Sequence, residues 1–202
     1  MTTIYLIRHA RKMKKEVILK DKKLDTVQTV LTVDGEKSAE KLGLLPCLLS
    51  VEKIYSSHYA RAVGTTKYLA SERNLPIYVD ERLGEIQNGE GEIDSKTRDY
   101  LREHDFSFRL KNGESFNDVQ KRMVEVFKEI VMENEGKIVA IFSHHIALFL
   151  LLSHFLEVRY IDDILSLCTQ NGLVITTKWL SPDIYKVEMD EMELMGLEHI
   201  LM

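Results

Sequence analysis

Hydrophobic positions follow two different periods along this chain, and the change from one to the other marks its elements. Runs rich in β-branched and aromatic residues, at Thr3–Ile7, Lys53–Tyr55, Ile77–Val79, Lys137–Phe142, Leu173–Thr177 and Ile184–Met189, predict strands. Between most of them the apolar residues recur at spacings of three and four. Ala39, Leu42 and Leu45 follow a capping residue, Thr32, and stop at Pro46, while Ala62, Val63, Thr66, Leu69 and Ala70 form one face of a helix over about residues 59–73. The clearest helix starts at Ser115, with Asp118 three residues on as a variant capping box. It carries Phe116, Val119, Met123, Val126, Phe127 and Ile130 and ends near Asn134 and Gly136. Strands alternating with helices imply a largely parallel sheet covered on both faces, an α/β protein built as a three-layer α/β/α sandwich.

Two stretches break this pattern. Gly84, Gly89, Gly91 and Gly113 punctuate a polar segment with room for a short central helix at most, and loops of that length in a compact domain are usually functional or lid-like. Near the end, Met189, Met192 and Met195 with Leu194, Leu197 and Leu201 suggest either a docking helix or a packed tail. No repeat, low-complexity tract or linker interrupts the chain, so its 202 residues are expected to form a single domain, 1–202.

Composition narrows the function classes. With 45% hydrophobic and 29% charged residues the chain reads as globular, and a net charge of −5 argues against a nucleic-acid binder, which needs a basic surface. The charge is uneven. Residues 11–25 hold seven cations (Arg11, Lys12, Lys14, Lys15, Lys20, Lys22, Lys23) against three anions, whereas the segment from Ser181 holds six acids against Lys186. The basic segment directly follows His9 and either steers an anionic substrate or is an ordinary solvated loop. Cys47 and Cys168 are too few for a disulfide framework and lack zinc-like spacing, so both are expected to be core thiols. The longest apolar run, Ile146–Leu152, is far short of a membrane span, and a cytoplasmic protein without a membrane partner is expected.

The candidate chemistry sits at predicted strand ends. Arg8 and His9 follow the first strand, Ser56 and Ser57 lead to Arg61 after the second, and Ser143 and His144 follow the fourth. Ligands of open α/β sheets bind outside the carboxyl ends of strands. If these strands are neighbours, two arginines and two histidines meet in one crevice, a set suited to a phosphoryl group because guanidinium forks match its oxygens and stay charged. Neither serine lies in a G-x-S-x-G elbow, so neither is expected to be a nucleophile. His144 and the adjacent His145, in an extended strand end, would point to opposite sides and could not share one ion, so no metal is expected. His104, His154 and His199 read as surface or packing residues.

Taken in order, these motifs resemble those of the histidine phosphatase superfamily, in the branch of the phosphoglycerate mutase-like enzymes. Leu6-Ile7-Arg8-His9-Ala10 is similar to its RHG signature, Leu31-Thr32-x-x-Gly35 with Ala39 to its first-helix pattern, and Ser56-Ser57-x-x-x-Arg61-Ala62-x-x-Thr65 to its second arginine motif. Arg82-Leu83-Gly84-Glu85 with Gly89 resembles the segment bearing its acidic residue. Gly113-Glu114-Ser115 with Asp118 and Arg122 matches another block, and Phe142-Ser143-His144 its second-histidine motif. The resemblance implies a phosphoglycerate mutase-like fold and a metal-independent, cofactor-free phosphomonoester hydrolase acting on a small phosphorylated metabolite. In that reading His9 accepts the phosphoryl group, Arg8, Arg61 and His144 bind its oxygens, and Glu85 exchanges protons with the leaving group and water.

The chain also departs from the pattern. Ala10 stands where a glycine is usual, which matters only if the position needs positive φ. His145 replaces a common glycine and His58 a frequent proline, and both are candidate accessory contacts to phosphate or substrate. Lys12 and Lys15 stand at usual Thr and Asn positions, and Gly89-Glu90-Gly91 is a shortened turn. Two alternatives therefore stay open: a phosphomutase using the same phosphoenzyme, and a non-catalytic phosphate-ester-binding module. Mutases of this kind carry a long water-excluding insertion between the acidic residue and the Gly-Glu-Ser block, whereas only 28 residues separate Glu85 from Glu114, which favours hydrolysis.

Overall fold

The computed structural model describes residues 1–14, 18–19, 22–23, 26–177 and 179–201. In chain order the elements are β1 (Thr2–Arg8), β2 (Ile18–Leu19), β3 (Lys22–Lys23), α1 (Val33–Gly43), β4 (Lys53–Ser56), α2 (Ala60–Arg73), β5 (Ile77–Val79), α3 (Ser95–His104), α4 (Phe116–Glu133), β6 (Ile138–Ser143), α5 (His145–Leu152), β7 (Glu157–Ile161), β8 (Ile164–Cys168), β9 (Val174–Thr176), β10 (Asp183–Asp190) and β11 (Glu193–Ile200). They fall into two compact units. The first comprises Met1–Gly84, Lys128–His144 and Leu180–Met202, the second Glu85–Phe127 and His145–Trp179.

The first unit is built on a six-stranded sheet of order β11-β10-β1-β6-β4-β5. β1, β6, β4 and β5 run parallel, and β10 and β11 add an antiparallel edge, so the fold is α/β with a mostly parallel central sheet, as the sequence pattern implied. Parallel strands are covered on both faces, which is why β1 reads as an unbroken apolar run. Tyr5 and Ile7 join Leu42 of α1 and Leu69 of α2 in one core together with Ile54, Ala140 and Phe142. Ile4 and Leu6 are fully buried on the other side of the strand. There Asn134, just past α4, donates to Tyr55 Oη at 3.0 Å and accepts from Thr2 Oγ1 at 3.4 Å. Burial of each such aliphatic side chain contributes about 1.5–3 kcal/mol, which fixes the position of the strand ends that carry the polar residues.

The expected caps are present. Thr32 Oγ1 accepts from Gly35 N at 3.0 Å, and Ser115 and Asp118 bond reciprocally, with Asp118 N to Ser115 Oγ at 3.1 Å and Ser115 N to Asp118 Oδ2 at 2.9 Å. Gly35 is required by proximity, since a Cβ there would lie 2.2 Å from Arg11 O. Arg11 O also accepts from Thr32 N at 2.9 Å, so the chain just after His9 is clamped to the start of α1.

The last residues form no docking helix. They are β11, paired antiparallel with β10 through a turn in which Glu191 has φ 49°. β11 is an edge strand whose residues are only partly buried, so the alternation that would have revealed it is weak.

In the second unit β7, β8 and β9 form an antiparallel sheet. Of these only β9 was expected: every residue of β7 is exposed and leaves no buried face to read, while β8 buries Leu165, Ser166 and Leu167 in succession without alternation. The run Ile146–Leu152 lies in α5, whose residues Ala147–Leu152 are all buried, so it carries no amphipathic period. The glycine-punctuated segment contains α3 and closes on itself. Glu90 N donates to Lys111 O at 2.8 Å, and buried Arg102 donates to Asn88 Oδ1 at 2.8 Å and Glu114 O at 3.0 Å. Among the described residues no helix is long and apolar enough to cross a membrane.

Candidate active site

Three neighbouring parallel strands, β1, β6 and β4, end in the polar residues that the sequence singled out. Their ladders run one bond past the last strand residue, with His9 N donating to Ser143 O at 3.1 Å and Ser57 N to Phe142 O at 2.9 Å. The residues that leave the sheet there are His9, His144 and Ser57, at the carboxyl ends where α/β proteins bind ligands. The His9 and His144 rings meet edge to face, 5.1 Å between centroids. Arg8 is the last residue of β1, directly beside Ser143.

The partners of His9 define its protonation. Nδ1 lies 2.7 Å from Ala10 O, which can only accept, so Nδ1 carries the hydrogen. Nε2 lies 3.0 Å from Arg61 Nε, which can only donate, so Nε2 presents its lone pair. Burial, reinforced by the positive charges of Arg61, Arg8 and Lys12, pushes the imidazole pKa down to about 3 against the opposing pull of the Ala10 carbonyl. His9 is therefore neutral at physiological pH, the state in which an imidazole is a nucleophile.

Arg61 enters from the first turn of α2 and is 2% exposed. Its Nη1 donates to Thr26 O at 2.8 Å and its Cζ lies 4.3 Å from the centre of the Tyr59 ring. Tyr59 packs in turn on His144, at 4.6 Å. The His144 ring is fully buried and its Nε2 lies 2.8 Å from Ser57 Oγ. Thr65 Oγ1 accepts from Ala10 N at 2.9 Å and donates to Arg61 O at 2.8 Å, tying the two motifs together. Arg8 Nη1 donates to Leu180 O at 3.0 Å. The first unit thus gathers a neutral imidazole, a second imidazole and two guanidinium groups at one sheet end, an arrangement matched to a tetrahedral oxyanion.

The model of the histidine phosphatase superfamily (branch 1) matches residues 4–177. The chain belongs to that superfamily. Among solved structures it is similar to YhfR from Bacillus stearothermophilus, at 25% identity and TM-score 0.68 over 96% of this chain and 94% of that one. A mycobacterial glucosyl-3-phosphoglycerate phosphatase in complex with inorganic phosphate shares the fold at 16% identity and TM-score 0.71, over 98% and 95%. So does a phosphoserine phosphatase from Entamoeba histolytica, at 18% identity and TM-score 0.61, over 88% and 96%. No curated protein matches the sequence.

In this member of the superfamily the remaining expected residues fall in several places. Ala10 is buried and is not among the residues with positive φ, so the usual glycine is not needed for backbone reasons. His58 lies against Tyr59, 4.8 Å between rings, and beside the Gly84 backbone. Glu85 and His145 belong to the second unit. There Glu85 Oε1 accepts from Ile86 N at 3.0 Å and from Ala147 N, in the first turn of α5, at 3.2 Å. His145 begins that helix instead of continuing an extended strand, and its ring faces Trp179 at 6.1 Å. The motif residues Arg82 and Arg122 make ion pairs, Arg82 with Asp80 at 2.8 Å and Glu129 at 2.5 Å, Arg122 with Glu114 at 2.7 Å. Among the described residues no cluster of three or more His, Cys, Asp or Glu is placed to hold a metal ion. Of the basic segment, Lys15 and Lys20 lie outside the described residues. His104 stacks on Tyr100 and His154 packs on Phe155, as packing residues do, but His199 does more: its Nε2 lies 2.7 Å from Asp183 Oδ1. Asp183 and the Leu180 carbonyl are the site's neighbours that sequence reasoning missed, whereas Ser57, expected at the strand end, is the partner of His144 Nε2. The only signal was Ser181-Pro182-Asp183 just ahead of a predicted strand.

Proposed function

We propose that this chain is a phosphomonoester hydrolase that works through a phosphohistidine on His9. The observation that carries the reading is the neutral His9 imidazole with its Nε2 lone pair held by the Arg61 Nε–H. A phosphoryl oxygen entering the site competes for that N–H. The exchange hands Arg61 to the substrate and releases the lone pair for attack on phosphorus. As the Nε2–P bond forms, the P–O ester bond breaks and its electron pair leaves with the alkoxide, which takes a proton from Glu85. Water then attacks phosphorus, the P–N bond breaks with its electrons returning to Nε2, and the water proton passes to Glu85. Arg8, Arg61 and His144 meet the charge on the equatorial oxygens, which leaves no step that requires a metal. The free thiols Cys47 and Cys168 suit a cytoplasmic setting.

Relatives named for glucosyl-3-phosphoglycerate and for phosphoserine have the phosphomonoester in common, and that is the substrate class assigned here. The compact segment around α3 supports hydrolysis over mutase chemistry, because it offers little chain to exclude water. A panel of sugar phosphates, nucleotides and phosphoamino acids, assayed with and without EDTA, tests the reading. Metal-independent release of inorganic phosphate by the wild type, lost in His9→Ala, is expected. No turnover of any member would leave the binding-module alternative, and turnover undiminished in His9→Ala would exclude His9 as the nucleophile.

A further inference from the structure

The Arg8–His9 pair is held from its far side by a turn that the proposed chemistry does not use. Arg8 Nη1 donates to Leu180 O at 3.0 Å, and Ser181 Oγ donates to His9 O at 2.9 Å. That turn is fixed by Asp183, whose Oδ2 accepts from Leu180 N at 3.1 Å. Its other oxygen, Oδ1, accepts from Ile184 N at 3.2 Å and lies 2.7 Å from His199 Nε2. Asp183 is 4% exposed and sits in β10 directly opposite Arg8. His199 comes from β11 and is itself held by stacking on Tyr185, ring centres 4.6 Å apart and 15° from parallel.

A carboxylate buried to this degree is costly unless its lone pairs are bonded, and three donors from three sources satisfy it here. The arrangement sets the Leu180 carbonyl against the Arg8 guanidinium. A carbonyl oxygen orients the guanidinium fork without itself bringing a negative charge to it.

We propose that Asp183, oriented by His199, is a positioning residue for Arg8: it fixes the Leu180–Ser181 turn so that Arg8 is preorganised for the phosphoryl group. The inference rests on the reading of Arg8 as a phosphoryl ligand. Its reach is from the outer edge strand, β11, through β10 to the site, a path that gives the antiparallel edge of the sheet a part in substrate binding.

A double-mutant cycle on the full chain tests it, with inorganic phosphate affinity, KM and kcat for p-nitrophenyl phosphate, and Tm as readouts. In Asp183→Asn, phosphate affinity should fall and KM rise by about tenfold, while in an Arg8→Ala background the same change should add less than about twofold. His199→Leu should lose more phosphate affinity than His199→Gln, which can still donate to the carboxylate, and this pair keeps the test available if Asp183→Asn folds poorly. Equal losses from Asp183→Asn in both backgrounds would make Asp183 merely structural and overturn the inference. Arg8→Ala binding phosphate like the wild type would instead remove Arg8 from the functional reading, a failure visible before Asp183 is touched.

Discussion

Acidification should unfold this protein partly through His9, and the size of the effect follows from the site. In the unfolded chain the imidazole has its ordinary value of 6.5, whereas in the fold burial and the Arg61, Arg8 and Lys12 charges push it down to about 3. A histidine depressed by folding contributes its full share of stability above pH 6.5 and loses it as pH falls toward 3, because only the unfolded state takes up the proton. Between pH 7.5 and pH 5 that difference amounts to about 2 kcal/mol, from roughly 1.4 kcal/mol per pH unit below 6.5. The perturbation is His9→Asn, which keeps an acceptor for Arg61 and removes the titration. Urea unfolding of both proteins at several pH values in phosphate-free buffer measures it, since a bound anion would favour the imidazolium. The wild type should lose about 2 kcal/mol more than the variant over this range. Parallel pH profiles for the two proteins would refute the claim that His9 is held neutral by its surroundings.

Two further substitutions probe the frame around the site. Gly35→Ala places a methyl 2.2 Å from Arg11 O and should cost about 1–3 kcal/mol in urea unfolding; an unchanged midpoint would mean that the backbone after His9 yields freely. Ser57→Ala removes the hydroxyl 2.8 Å from His144 Nε2 and should lower kcat for p-nitrophenyl phosphate by about tenfold, whereas a kcat within twofold of wild type would show that His144 is positioned by packing alone.

The parts of the fold legible in the sequence are those with a buried stripe and a local signal. β1 and β6 are covered on both faces, so they read as apolar runs ending in Arg8–His9 and Ser143–His144, and α4 carries its core stripe between the Ser115–Asp118 cap and Gly136. β7 was invisible because it buries nothing, and β11 because an edge strand is only half covered. The site divides in the same way. Arg8, His9, Arg61 and His144 could be named because each follows a predicted strand, and the adjacency of β1, β6 and β4 brings them together. The Asp183–His199 contact joins residues on two antiparallel strands in a tail whose hairpin was not foreseen, so no spacing rule could pair them. His145 is the reverse case: the sequence reads as an extended strand end where α5 begins.

The central claim is that His9 Nε2 carries the phosphoryl group. Rapid acid-free quenching of the enzyme during turnover of a phosphomonoester, followed by mass spectrometry of the peptide spanning Arg8–His9, tests it most directly. A base-stable, acid-labile phosphoryl group on His9, absent from His9→Ala, is expected. Turnover in a wild type that never carries phosphate on His9, or carries it on another residue, would contradict it.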